Sequence, residues 1–117
     1  MRLIGWFIDM RQSIVQTDDI KRCFITHQRC GDGGEPLEKH HIINGALRDW
    51  ADREGLWIYI TPQMHRFLHE TSKGILIQGK VMKALAEAMW ILSKMPPELV
   101  EEAKDEWMKQ VRKNYVG

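Results

Sequence analysis

The pattern of hydrophobic and polar positions predicts two short strands in the first half of the chain. Residues 37–43 form one strand candidate, which follows a turn rich in glycine and closed by proline at 31–36. Residues 56–60 form the second, because aromatic and β-branched side chains dominate them. A polar loop over 44–55 is predicted between the strands. Residues 3–15 are apolar with a weak period, which allows either a strand or a helix.

Three helices are predicted after the second strand. The first covers 62–70 and stops before Gly74, because Thr61 is a good N-cap residue and the proline after it suits the first helical position. The second covers 81–94 and is apolar on most faces, so we expect it to be buried. The third follows the two prolines at 96–97, and its apolar stripe consists of Val100, Ala103, Trp107 and Val111.

These elements predict an α+β fold in a single domain over residues 1–117, with a strand–strand–helix core at about 37–72 and a helical part at about 79–115. The net charge is only +1, whereas most nucleic-acid binders carry a basic surplus. Binding of nucleic-acid phosphates must therefore depend on locally clustered cations or on a metal ion. No apolar run approaches the roughly 18 residues that cross a bilayer, and the first residues do not resemble a signal peptide. We therefore expect a cytoplasmic protein with no membrane partner.

Four of the five histidines lie in the predicted strand–loop–strand–helix unit. His40 and His41 end the first strand, where neighbouring side chains point to opposite faces and cannot easily do the same job. His65 and His69 are four residues apart on a helix, so they share a face and can bind one ion together. Any one of these histidines is most simply a surface or hydrogen-bonded residue, but the joint pattern predicts a metal site.

Several short motifs accompany these histidines between residues 13 and 92. They are Asp18-Asp19 before Cys23, Leu-x-x-His-His-Ile at 37–42, a glycine- and arginine-containing loop at 44–48, Gly-Leu-x-x-Tyr-Ile at 55–60 and Pro-x-x-His at 62–65. Together they resemble small phage proteins of the HNH family. The histidine layout itself is similar to the ββα-metal motif of the DNase colicins, which are nucleases of that type.

The resemblance implies a metal-dependent endonuclease that hydrolyses phosphodiester bonds of DNA. It makes His40, His65 and His69 the metal ligands and His41 the general base. Three neutral imidazoles favour one Zn²⁺, Ni²⁺ or Mn²⁺ ion over Mg²⁺, which prefers oxygen. A histidine base predicts activity that falls as the pH drops through about 6. The cations expected to contact neighbouring phosphates are Arg48, Arg66 and Arg53.

Many HNH proteins of this kind also hold a structural zinc between two Cys-x-x-Cys pairs. This chain keeps Cys23, but the other three positions are occupied by Thr26, Thr61 and Met64. We therefore expect the site to be packed without zinc. An alternative set of Cys23, His27 and Cys30 offers three ligands on a loop, which is weak evidence for zinc.

The central Asn that gives the motif its middle letter is also missing, because Gly55-Leu56 occupies its place. Asn44 or Asp52 could brace the loop instead.

Two further interpretations stay open. A phage could use the scaffold as an anti-CRISPR-like binding protein that inhibits a host defence nuclease, or as a structural metal module in a larger assembly. The four histidines favour the nuclease, and the apolar helices after residue 79 could form a homodimer face in every case.

Overall fold

The computed structural model describes residues 12–17, 22–29, 36–94 and 96–116. They belong to two compact units, divided in sequence between Pro62 and Gln63. Asp18-Asp19, Cys30 and most of the predicted turn at 31–36 lie outside the described residues. Of the ambiguous segment at 3–15, residues 12–15 are described, and they lie in neither a helix nor a strand.

The first unit contains an antiparallel hairpin, as the hydrophobic pattern predicted. Strand β1, Glu38–His41, pairs with strand β2, Trp57–Ile60. The first strand is shorter than expected, because the backbone bends after His41. Ile42 and Ile43 lie beyond the last strand pair, although the Ile42 N–H still donates to the Leu56 carbonyl at 3.3 Å. Both side chains remain buried, at 0% and 4% exposure. Their apolar character reflects the core, and it made the strand look longer than it is.

The connection between the strands is helical, so the prediction of a polar loop over 44–55 was wrong. A 3₁₀ turn, Gly45–Leu47, leads into helix α1, Arg48–Arg53. Only Ala51 of this helix is buried, so the hydrophobic signal of a helix is nearly absent. Gly55 then turns the chain into β2 with a φ of +83°, and a Cβ atom there would lie 2.7 Å from the carbonyl oxygen of Gln12.

Two short segments satisfy backbone groups of β2. The buried side chain of Gln16 accepts a hydrogen bond from the Tyr59 N–H at 2.7 Å and donates one to the Arg22 carbonyl at 2.7 Å. The Phe24 N–H donates to the Tyr59 carbonyl at 2.8 Å. Residues that precede the hairpin in sequence therefore form hydrogen bonds with the edge of β2 that is not paired with β1.

Helices dominate the described residues that follow the hairpin. Helix α2 spans Pro62–Glu70, as predicted. The chain then re-enters helix at once, whereas the sequence indicated an interruption until residue 81. The remaining elements are α3 at Ser72–Leu76, a π-helical turn at Ile77–Met82, α4 at Lys83–Lys94, a 3₁₀ turn at Pro97–Leu99 and α5 at Val100–Val111. No helix in the described ranges has the length and apolarity needed to cross a lipid bilayer.

The break between α2 and α3 is a single residue, Thr71, with an extended backbone. Its hydroxyl accepts a hydrogen bond from the Gly74 N–H and donates one to the Phe67 carbonyl, each at 2.9 Å. Gly74 lies inside α3, where a Cβ atom would sit 1.8 Å from the Phe67 carbonyl oxygen. The glycine therefore permits a close backbone approach, and it was wrong to interpret it as a helix stop.

Helices α4 and α5 pack through an aromatic pair. The rings of Trp90 and Trp107 have centroids 5.6 Å apart, and both side chains are buried. The predicted stripe of α5 is confirmed at Ala103 and Trp107. The expectation that α4 is buried is only partly confirmed, because Leu92 is 59% exposed.

Candidate metal centre and its neighbouring histidine

Strand β1 gives its two histidines different surroundings. His40 lies opposite Ile58 in the hairpin and is 1% exposed. His41 lies opposite Trp57, and its side chain is 20% exposed. Successive residues of a strand point to opposite faces, which explains how one dipeptide supplies a buried and an accessible imidazole. The two histidines therefore cannot serve the same chemical purpose.

Helix α2 carries the other two histidines of the pattern on one face. His65 and His69 are one helical turn apart, and their ring centroids lie 4.8 Å from each other. His65 is half-buried and His69 is exposed. This spacing suits two imidazoles that bind a common ion.

The structure brings the three predicted ligands together. The candidate ligand nitrogens of His40, His65 and His69 all lie within 4.8 Å of one another. Three histidines are therefore close enough to hold a metal ion. They are the same three that the sequence indicated as ligands.

His41 takes part in a separate polar network. Its Nδ1 atom lies 2.8 Å from Asp52 Oδ1, and its Nε2 atom lies 2.7 Å from Arg48 Nη2. A guanidinium can only donate hydrogen bonds, so Nε2 must accept from Arg48. The ring proton of a neutral imidazole then sits on Nδ1 and is donated to the carboxylate of Asp52. Both contacts are satisfied together by this one form of the ring.

Helix α1 places both partners of His41. Arg48 and Asp52 are four residues apart, and Arg48 Nε lies 4.0 Å from Asp52 Oδ2. The side-chain amide of Asn44 also donates to the His41 carbonyl at 3.2 Å. Both residues considered as substitutes for the central Asn thus contact His41, one at its ring and one at its backbone. The sequence indicated Asp52 as a possible brace of the loop but not as a partner of the His41 ring, because it did not reveal α1. The Arg-x-x-x-Asp spacing was a usable signal for that helix.

The other two arginines predicted to contact phosphate, Arg53 and Arg66, lie on α1 and α2. Arg53 is exposed at the end of α1, rotated by about 140° from Arg48 around the helix. Arg66 is exposed on α2, directly after His65. The structure shows Arg48 hydrogen-bonded to the His41 ring.

Cys23, which the resemblance aligns with a zinc-ligand position of HNH proteins, is packed into the first unit. Its side chain is fully buried, and its Sγ atom accepts a hydrogen bond from the Thr26 N–H at 3.4 Å. Burial raises the pKa of the Cys23 thiol, but hydrogen bonds from Thr26, Thr61 and Ile25 outweigh burial and bring the pKa below its ordinary value. His27 is exposed and has a φ of +65°. The absence of a structural zinc stays a prediction.

No family model, curated protein or solved structure matches the chain. The resemblance to HNH nucleases therefore rests on the motifs between residues 13 and 92. The chemistry of the three clustered histidines and of the His41 network is the basis for inferring a function.

Proposed function

We propose that this protein is a metal-dependent HNH endonuclease that hydrolyses phosphodiester bonds of DNA. The observation that carries the proposal is the set of three candidate ligand nitrogens within 4.8 Å of one another, supplied by His40, His65 and His69. The residue next to His40 is an accessible imidazole with a carboxylate partner. Three ligands and an adjacent general base are what metal-assisted hydrolysis requires. In this proposal β1, β2 and α2 form a ββα-metal unit.

The residues fit a divalent ion of intermediate softness. Metal–nitrogen bonds of about 2.0–2.1 Å put two tetrahedral ligand atoms roughly 3.4 Å apart. Small rotations of the incompletely buried rings of His65 and His69 would close the remaining gap. An all-imidazole set favours Zn²⁺, Ni²⁺ or Mn²⁺ over Mg²⁺. When bound, the ion supplies charge stabilisation at the scissile phosphate and at the leaving 3′ oxygen.

The protein's own groups activate the water and hold the substrate. His41 accepts a proton from the attacking water at Nε2, while its Nδ1–H stays bound to Asp52. The carboxylate keeps the ring oriented and stabilises the positive charge that the ring gains. The Asn44 side chain fixes the His41 backbone. The phosphates on either side of the cleaved bond are held by Arg48, Arg66 and Arg53.

A plasmid-nicking assay across Mg²⁺, Mn²⁺, Ni²⁺ and Zn²⁺ tests the proposal, with His41→Ala in parallel. We expect metal-dependent nicking that falls by about 10²–10⁴ in His41→Ala, because this is the usual contribution of general base catalysis. Metal binding by His41→Ala should be intact. The control is His27→Ala, which removes an exposed histidine outside the cluster and should leave nicking unchanged.

Two results would contradict parts of this proposal: one the nuclease activity itself, the other the role of His41. A folded protein that binds metal but nicks no DNA with any of the four ions would favour the inhibitory binding protein. The near-neutral net charge of +1 is the observation that supports this second function. Nicking that survives in His41→Ala would instead remove His41 as the base.

A further inference from the structure

Both ring nitrogens of His41 are engaged by side chains of helix α1. Asp52 takes the Nδ1–H at 2.8 Å, and Arg48 donates to Nε2 at 2.7 Å. A base must offer its lone pair to the water that it deprotonates. While Arg48 occupies Nε2, the histidine cannot do so. The arrangement of the network therefore differs from that of an active base.

We propose that Arg48 is a phosphate-responsive cap on His41. Without substrate the guanidinium masks Nε2, and a backbone phosphate that binds Arg48 draws it away and exposes the lone pair. This inference rests on the proposed role of His41 as a base. It makes Arg48 a positioning residue that couples phosphate binding to the availability of the base.

The contacts of Arg48 allow this movement. Its side chain is 52% exposed, and the 4.0 Å separation from Asp52 Oδ2 is at the outer limit of an ion pair. The contact with His41 is a single hydrogen bond to an uncharged ring nitrogen. A phosphate offers two charged oxygens in the geometry of the guanidinium fork, which is the stronger acceptor. Phosphate should therefore compete effectively with the imidazole for Arg48.

Carbethoxylation of histidine by diethyl pyrocarbonate tests the cap, because the reagent attacks an available ring lone pair. The experiment uses the full chain with a metal chelator and without DNA, and mass spectrometry follows modification at His41. Arg48→Met keeps an unbranched side chain of similar reach but removes every donor. We expect His41 to react roughly tenfold faster in this variant, the factor expected for loss of one charge-assisted hydrogen bond.

The matched control is Arg53→Met, the same substitution on another side of α1. It should leave the rate at His41 at the wild-type value, and the exposed His27 serves as an internal reference within each sample. Circular dichroism confirms that both variants are folded. If His41 reacts at the wild-type rate in folded Arg48→Met, the cap does not exist.

Inorganic phosphate provides the second arm, compared with chloride at equal ionic strength. Phosphate should accelerate modification of His41 in the wild type and have no effect in Arg48→Met. A wild-type rate that phosphate leaves unchanged or lowers would overturn the proposal. Neither arm uses DNA or metal, so a failure of the cap is distinguishable from a failure of the nuclease activity.

Discussion

At the scale of single residues, the proposed chemistry depends on the different surroundings that strand β1 gives to two adjacent histidines. His40 is 1% exposed, whereas the neighbouring His41 side chain is 20% exposed and reaches Asp52. Strand alternation alone produces this difference, so it was predictable from the dipeptide and its strand. The sequence did not predict which residue contacts the His41 ring. Asp52 lies eleven positions further along, on a helix that the sequence did not reveal.

Asp52→Asn tests the carboxylate as a positioning group. The amide oxygen can still accept from the ring, but it cannot stabilise the charge that His41 gains. We expect kcat for nicking to fall by about 10–100-fold, the usual cost of losing a supporting contact of this kind, with little change in KM. ¹⁵N NMR of the His41 ring should show a smaller share of the Nδ1–H form. The control Asp49→Asn changes an exposed carboxylate of the same helix and should alter neither measurement.

His65→Ala tests whether the clustered histidines hold the metal. An ion that binds only the folded protein stabilises it, by about 2.7 kcal/mol at a hundredfold excess over Kd. Added Zn²⁺ should therefore raise the Tm of the wild type, and a chelator should reverse the rise. We expect the rise to be largely lost in His65→Ala but kept in His27→Ala. An equal rise in all three proteins would place the metal elsewhere.

At the scale of elements, predictability follows buried apolar side chains and terminal signals. Strand β2 buries three of its four residues and α5 buries Ala103 and Trp107, so the hydrophobic pattern reveals both. Helix α2 buries only Leu68, and the sequence revealed it through the Thr-Pro start signal at 61–62 instead. Helix α1 buries only Ala51, so its polar composition is indistinguishable from that of a loop. The stretch at 71–82 was missed because Gly74 serves a contact with Phe67 that no local pattern reveals.

A glycine pair in this helical stretch gives a direct test. At Gly74 a Cβ atom would meet the Phe67 carbonyl at 1.8 Å, whereas at Gly79 nothing lies within 4 Å. Gly74→Ala should lower the free energy of unfolding by about 1–3 kcal/mol, because the backbones at Gly74 and Phe67 cannot easily move apart. Gly79→Ala should be neutral or stabilise by up to about 1 kcal/mol, because alanine favours helix. Urea unfolding measures both, and equal effects would show that Gly74 is not closely packed.

At the scale of the whole molecule, function depends on where charge is placed. The net charge of +1 makes the chain as a whole a weak attractor of DNA. The sequence indicated histidines at ligand spacing and arginines beside them. Only the structure brought Arg48 to His41.

The homodimer through the C-terminal helices stays a prediction, and exposed Leu92 on α4 and Met108 on α5 are the residues to substitute when sedimentation is measured.

The salt dependence of DNA binding tests how local the electrostatic contact is. Each phosphate that is neutralised contributes about −0.9 to the slope of log K against log salt, so three arginine contacts predict a slope of about −2.7. Fluorescence anisotropy with metal-free protein measures this slope. Substituting methionine for any one of Arg48, Arg53 and Arg66 should reduce its magnitude by about 0.9. Lys109→Met on α5 removes an exposed cation away from the histidines in sequence and should leave the slope unchanged. A slope that responds to Lys109 but not to the arginines would mean that DNA binds the C-terminal helices, and the proposed active site would then have no substrate contact.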